Sequence, residues 1–397
     1  MVLFGAFGLL PPAAAQPGSV ITVHPDPNHP ILTPGFQAET DRRSHSRLTE
    51  GNRFELLENG VAALPRMKDL IRGARASVLI TSMILADDAA GNEIARELIA
   101  AAGRGVDVRC LLDGLLADPR VVQRLRRGGC RVALYNHLFD FRRTGRQHQK
   151  MLVADFTRAI SSGMNLAEEY LFATGRDHRF KDTAVLAEGP AAADMARGFF
   201  EAWLDLVPGD LAAQAYLGQL QDALAQLPPA AGPGGLARFI NQESGAGEDH
   251  LTDYYVRVLD AARRQVLWHV NNVTPSQRLF EAAHRAARRG VRVVLVTNSA
   301  RAFIARNGIT GWFQHWVAAV LQRMLFFGTG IEIWELDTPL HSNAMTVDGV
   351  MASIGSYNFS VSSEKNFEST LVIYDPALVR AVEQMFQRDL GRARRRL

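Results

Sequence analysis

Along this chain the apolar positions change period at regular intervals, and those changes mark out the elements. Residues 53–57 read as a first strand, 60–73 as an amphipathic helix, 77–85 as a strand and 92–103 as a helix. Arg104-Gly105-Val106-Asp107-Val108-Arg109-Cys110-Leu111-Leu112 is a turn feeding a buried strand. The second half repeats the plan with a helix over 251–264, a strand over 265–270 and a helix over 277–289. Arg289-Gly290-Val291-Arg292-Val293-Val294-Leu295-Val296 then matches the earlier turn and strand. Strand–helix–strand alternation predicts an α/β fold whose mostly parallel, mixed sheets are flanked by helices. A repeat this long implies a duplicated domain, not a solenoid.

Between the halves, Leu227-Pro228-Pro229-Ala230-Ala231-Gly232-Pro233-Gly234-Gly235 is a linker by composition. The expected organisation is therefore a leader and arm over 1–52, a first domain over 53–226, the linker over 227–235 and a second domain over 236–397. Residues 2–15 are small and apolar and end in Ala13-Ala14-Ala15-Gln16, like the core and cleavage site of a secretory signal, but no basic segment precedes them. Export to a periplasm or peripheral membrane attachment is expected, with the cytoplasmic face of a membrane as the alternative. Residues 16–41, rich in Pro, Thr and His, read as an extended arm. No later apolar run approaches the roughly 20 residues of a spanning helix.

Composition narrows the picture only a little. The 397 residues are 47% apolar and 21% charged, which suits an ordinary globular protein with a large core. A net charge of +3 and a pI near 9.0 are compatible with anionic lipid or nucleic acid and diagnostic of neither. Arg392-Ala393-Arg394-Arg395-Arg396-Leu397 is a local basic cluster, either a solvated end or a headgroup contact. The two cysteines, Cys110 and Cys130, fall in neighbouring strands and read as buried thiols. No Cys/His set has zinc spacing, so neither metal nor other cofactor is expected.

The candidate chemistry lies in a short stretch that occurs twice. Gln147-His148-Gln149-Lys150-Met151-Leu152-Val153-Ala154-Asp155 is followed, six residues on, by Ser162-Gly163-Met164-Asn165. His341-Ser342-Asn343-Ala344-Met345-Thr346-Val347-Asp348 is followed, again six residues on, by Gly355-Ser356-Tyr357-Asn358. A singly occurring histidine would be read as a core residue; identical internal spacing in both halves argues against chance. Alternation places each histidine and the residue two positions on along one face of a strand. The small pair before Asn165 and Asn358 permits a tight turn that returns an amide toward the histidine. A histidine, an ammonium and an amide converging on one point form a set suited to handling phosphate.

The pattern resembles the phospholipase D superfamily, whose paired motifs read His-x-Lys, four residues, Asp, six residues, Gly-[Gly/Ser]-x-Asn. The resemblance covers nearly everything after residue 52 and is closest to the bacterial cardiolipin synthase branch. It rests also on 51–113, on Phe180-Lys181-Asp182-Thr183 leading to Glu188-Gly189-Pro190, on Val296-Thr297-Asn298-Ser299 and on Asn366-Phe367-Glu368. Two departures stand out: Asn343 replaces the second lysine, and Ser162-Gly163 replaces Gly-Ser or Gly-Gly.

The resemblance implies two phospholipase D-like domains meeting about a pseudo-twofold axis with one active site between them. It implies a phosphohistidine mechanism, with His148 as nucleophile and His341 as general acid/base. An acid at the start of a later strand should orient each imidazole, and Asp182 is expected on His148 and Glu368 on His341. Lys150, Asn165, Asn343, Ser356 and Asn358 should bind the phosphate, while Asp155 and Asp348 fix the turns. Losing the lysine at 343 removes a charge-assisted contact, about 2–4 kcal/mol of transition-state stabilisation, or roughly thirtyfold to a thousandfold in rate.

The expected activity is phosphatidyl transfer between anionic phospholipids, with phosphatidylglycerol and phosphatidylethanolamine as partners and peripheral membrane contact. Alternatives are hydrolysis to phosphatidic acid, a nuclease or other phosphodiesterase of the superfamily acting on nucleic acid, and a weakly active or inactive lipid-binding relative. Residues 312–327 carry more Trp and Phe than one helix face needs, and read either as a core helix or as an interfacial helix dipping into a bilayer.

Overall fold

The computed structural model describes residues 26–135, 145–176, 178–227, 235–242, 249–271, 273–302, 317, 320–322 and 324–397. The signal-like stretch 2–15, most of the linker and much of 312–327 lie outside them. Strand β1 (Leu48–Thr49) comes first in the chain. The first half then contributes β2 (Arg53–Glu58), β3 (Ser77–Ser82), β4 (Asp107–Asp113), β5 (Arg131–Tyr135), β6 (Met151–Ala154), β7 (Arg158–Ser162) and β8 (Thr183–Glu188). The second contributes β9 (Ala237–Gln242), β10 (Gln265–His269), β11 (Arg292–Asn298), β12 (Glu332–Leu336), β13 (Met345–Val347), β14 (Met351–Gly355), β15 (Glu368–Ile373) and β16 (Arg394–Arg395).

One sheet runs β2-β8-β7-β6-β3-β4-β5 and the other β1-β9-β15-β14-β13-β10-β11-β12-β16. Set side by side, seven strands of each correspond one to one, so the duplication read from the sequence is a duplication of topology. The sheets are mixed, but the expectation that they are mostly parallel needs correction. Only β3-β4-β5 and β10-β11-β12 pair parallel. A crossover helix joins strands within each trio. The motif strands instead return through tight turns, with Asp155, Phe156 and Asp348 at positive φ, and tight turns make antiparallel neighbours.

Both faces of each sheet are buried, which is why the strands read as near-continuous apolar runs. In β3, Val78 and Ile80 join the first half's outer core while Leu79 points between the sheets. In β10, Val266 and Trp268 face the second half's outer core and Leu267 the shared one. Helices Pro190–Leu206 and Pro376–Leu390 lie within that shared core. The Ser161 hydroxyl donates to the Ile354 carbonyl at 2.9 Å, tying β7 to β14 across it.

Residues 26–44 are not an extended arm. Thr33 caps the helix Pro34–Ser44, whose first position is proline, a favourable helix start. Ile31 is wholly buried in the second half's core. Arg238, fully buried in β9, takes its partners from this segment: Asp41, the Gln37 side chain at 2.8 Å and Ser46 at 2.8 Å. β1 then adds to the edge of β9. Residues 26–49 are thus built into the second half. Cys110 and Cys130 are free and buried, and burial pushes both thiols up, Cys130 to about 11.

Candidate active site

His148 and Lys150 lie just before β6, and His341 and Asn343 just before β13, so the histidines occupy the approach to each strand and not the strand itself. Two isolated parallel bridges hold those approaches: Gln147 pairs with Phe367, and Lys181 with Leu340. Each joins the stretch before one half's histidine to the stretch before the other half's acid. The His148 amide donates to the Phe367 carbonyl and the His341 amide to the Lys181 carbonyl, both at 2.9 Å. One residue beyond each bridge, a histidine must therefore face the acid of the opposite half.

That is the observed geometry. His148 Nδ1 lies 2.9 Å from Glu368 Oε2, and His341 Nδ1 lies 2.8 Å from Asp182 Oδ2. The pairing expected from sequence, Asp182 on His148 and Glu368 on His341, is reversed. Chain order suggested that each acid serves its own motif, but the bridges between the halves cross the pairs. Neither histidine is oriented by its own half.

All four groups are buried, with His148 and His341 the most accessible at 7% and 6%. With Nδ1 held by a carboxylate, each ring turns its Nε2 outward. Burial pulls His148 below the ordinary histidine pKa, against the opposing pull of Glu368, so the neutral ring is favoured. His341 sits against Tyr170 and Phe180, with ring centroids 4.9 and 5.1 Å away.

Lys150 donates to the His148 carbonyl at 2.6 Å, leaving two ammonium protons for a ligand. Its burial lowers its pKa to about 8, despite the carboxylates of Glu368, Asp182 and Asp113. Asn165 accepts the Ile84 amide at 3.2 Å, and its Nδ2 is buried without a partner. A free buried donor is what a phosphoryl oxygen needs. Asn358 is half-buried, and its backbone amide donates to Ser363 Oγ at 3.0 Å.

Two of the residues expected to bind phosphate have other work. Ser356 Oγ donates to Glu368 Oε2 at 2.5 Å and accepts the Ser369 amide at 3.0 Å, so it positions the acid. Asn343 donates its Nδ2 to the Ser356 carbonyl at 3.1 Å, which leaves its buried Oδ1, an acceptor, without a partner. Only the second Nδ2 hydrogen is left to meet an anionic oxygen, and it carries no charge. The other departure from the motif also has a steric reason: a Cβ at Gly163 would stand 2.3 Å from Asp182 Oδ1. The first half therefore has glycine where the second has Ser356.

Asp155 accepts the amides of Arg75, Ala76 and Ser77, with contacts from 2.8 to 3.2 Å. Asp348 accepts those of Arg263, Arg264 and Gln265 from 2.6 to 2.8 Å, and also lies 2.8 Å from His29 Nε2. Both aspartates fix the entry to a central strand and stand apart from the histidine–acid pairs.

Several supporting residues escaped the sequence reading. Asp113 Oδ2 accepts the Gln147 amide at 3.2 Å, and Asn298 Oδ1 accepts the Leu340 amide at 2.6 Å, each holding the residue before a histidine. They occupy the same offset, eight residues after Gly105 and Gly290, in the repeated strand. Aligning the two halves would have exposed them as matched polar ends on apolar strands. Ser363 and Asn366, which donate to Glu368 Oε1 at 2.9 and 3.4 Å, carry no such signal.

Comparison with known proteins agrees with the geometry. Residues 67–203 and 255–390 each match the family described as cardiolipin synthase, PLD-like domain. Cardiolipin synthase B of Escherichia coli K12 is 30% identical over 338 residues, covering 82% of this chain and 77% of that protein. Cardiolipin synthase A of Pseudomonas entomophila is 28% identical over 357 residues, covering 86% and 69%. The crystal structure of phosphatidylserine synthase from Haemophilus influenzae superposes with a TM-score of 0.69 over 91% of each chain at 14% identity, a likeness of fold. With its two matched domains and its paired motifs, the chain belongs to the phospholipase D superfamily, in the cardiolipin synthase branch.

Proposed function

We propose that the protein transfers a phosphatidyl group between phospholipids at a membrane surface, making cardiolipin from phosphatidylglycerol. His148 Nε2 attacks phosphorus, and the bond to the departing glycerol oxygen breaks as His341 gives that oxygen a proton. The hydroxyl of a second lipid then loses its proton to His341 and attacks the phosphohistidine, releasing His148. Lys150 and Asn165 supply donors to the non-bridging oxygens, where charge accumulates. The crossed pairs, His148 with Glu368 and His341 with Asp182, carry the reading, because each carboxylate holds its ring at Nδ1 and leaves Nε2 for the chemistry, bare on His148 for attack and carrying on His341 the proton that the leaving oxygen receives. The relatives' names supply the lipid substrate.

The test is mass spectrometry of products from phosphatidylglycerol liposomes containing phosphatidylethanolamine, comparing wild type with His148→Ala. Cardiolipin formed by wild type alone supports transfer. Phosphatidic acid alone would move the activity to hydrolysis, and absence of either product would refute lipid chemistry.

A further inference from the structure

Among the described residues ten large apolar side chains are exposed, and five of them crowd into 320–327. Leu321 is 60% exposed, Met324 77% and Phe327 83%, with Val320 and Leu325 beside them. The segment is firmly seated. Phe326 is buried against Phe280 at 5.3 Å, and Gln322, also buried, accepts from Arg396 at 3.1 Å. Gln322 thus joins Phe326 against the protein while the other apolar side chains face outward, the reverse of the usual polar face of a surface helix.

Two neighbours indicate what covers this face. Arg396 also pairs with Glu335, and the preceding Arg394 and Arg395 form the exposed strand β16 on the edge of β12. Exposed cations therefore flank the apolar patch. The patch is also linked to the site: the Gln322 amide reaches the Val273 carbonyl at 3.5 Å, and the next residue, Thr274, bridges to Ser360. Ser360 lies in the loop that begins at Asn358 and carries the exposed Val361.

We propose that Leu321, Met324 and Phe327, flanked by Arg394 and Arg395, form the surface that docks on an anionic bilayer and sets the Asn358 loop at the headgroup level. This rests on the phosphatidyl-transfer reading, since it supplies the route by which a lipid phosphate reaches the site. Apolar side chains enter the acyl boundary while the arginines meet lipid phosphates.

The experiment compares wild type, Leu321→Ser/Met324→Ser/Phe327→Ser and Arg394→Ala/Arg395→Ala for cosedimentation with phosphatidylglycerol or phosphatidylcholine vesicles. Turnover of monomeric short-chain phosphatidylglycerol is measured alongside. The serine variant should lose vesicle binding by about tenfold or more and keep its turnover of monomeric lipid. The arginine variant should lose binding to phosphatidylglycerol vesicles only, as should wild type at high salt. Full vesicle retention by the serine variant, or a wild-type dimer that it converts to monomer in sedimentation analysis, would overturn the proposal. Absence of wild-type turnover on monomeric lipid would refute the catalytic reading while leaving the vesicle measurement to judge the surface.

Discussion

Replacing Glu368 with glutamine should disturb His148, in the other half of the chain, and leave His341 nearly untouched. Glu368 accepts from His148 Nδ1 at 2.9 Å, from Ser356 at 2.5 Å and from Ser363 at 2.9 Å, all in a buried setting. Glutamine keeps the shape and removes the charge, exchanging a charge-assisted hydrogen bond for a neutral one at a cost of about 1.5–3 kcal/mol when His148 is positive. Because Glu368 raises the His148 pKa against burial, its loss should lower that pKa further. Nitrogen-15 NMR of the histidine rings reads this directly. In kinetics, formation of the proposed phosphohistidine should slow roughly 10- to 100-fold, even for an aryl phosphodiester whose leaving group needs no proton. Asp182→Asn should instead spare that activated substrate and slow lipid turnover, because Asp182 holds His341, the proposed proton donor. If Glu368→Gln moves the titration of His341 and leaves His148 in place, the crossed pairing is wrong.

Three further outcomes follow from the site. With its pKa lowered to about 8, Lys150 should lose its charge as pH rises through that value, giving an alkaline fall in kcat that Lys150→Arg moves upward; a fall unchanged in Lys150→Arg would exclude it as the source. Asp155→Ala should orphan the amides of Arg75, Ala76 and Ser77 and cost about 2–4 kcal/mol in denaturant unfolding, with activity per folded molecule retained; unchanged stability would contradict the anchoring role. Asn343→Lys should raise turnover by returning a positive charge beside the Ser356 carbonyl, and a rate unchanged in steady-state assay would show that the second ammonium is dispensable here.

The motif residues were legible because their spacing is local: His148, Asp155 and Asn165 sit on adjoining segments of one hairpin, as do His341, Asp348 and Asn358. The repeat likewise gave the fold class and the double domain. Other features read wrongly for identifiable reasons. The Pro, Thr and His content of 16–41 read as an extended arm, yet Thr33-Pro34 starts a helix. Ser356 looked like a ligand to phosphate, and only its distance to Glu368 shows it spent on the acid.

What the sequence determined by itself, then, is what depends on neighbours along the chain: the period of each element, the duplication and the chemistry each half carries. Which acid serves which histidine was decided by the tertiary structure alone. That choice rests on the bridges from Gln147 to Phe367 and from Lys181 to Leu340, contacts across 220 and 159 residues in the two pairs they set, His148 with Glu368 and His341 with Asp182. No local pattern encodes such a contact, because it exists only once two separately folded sheets have been packed against each other.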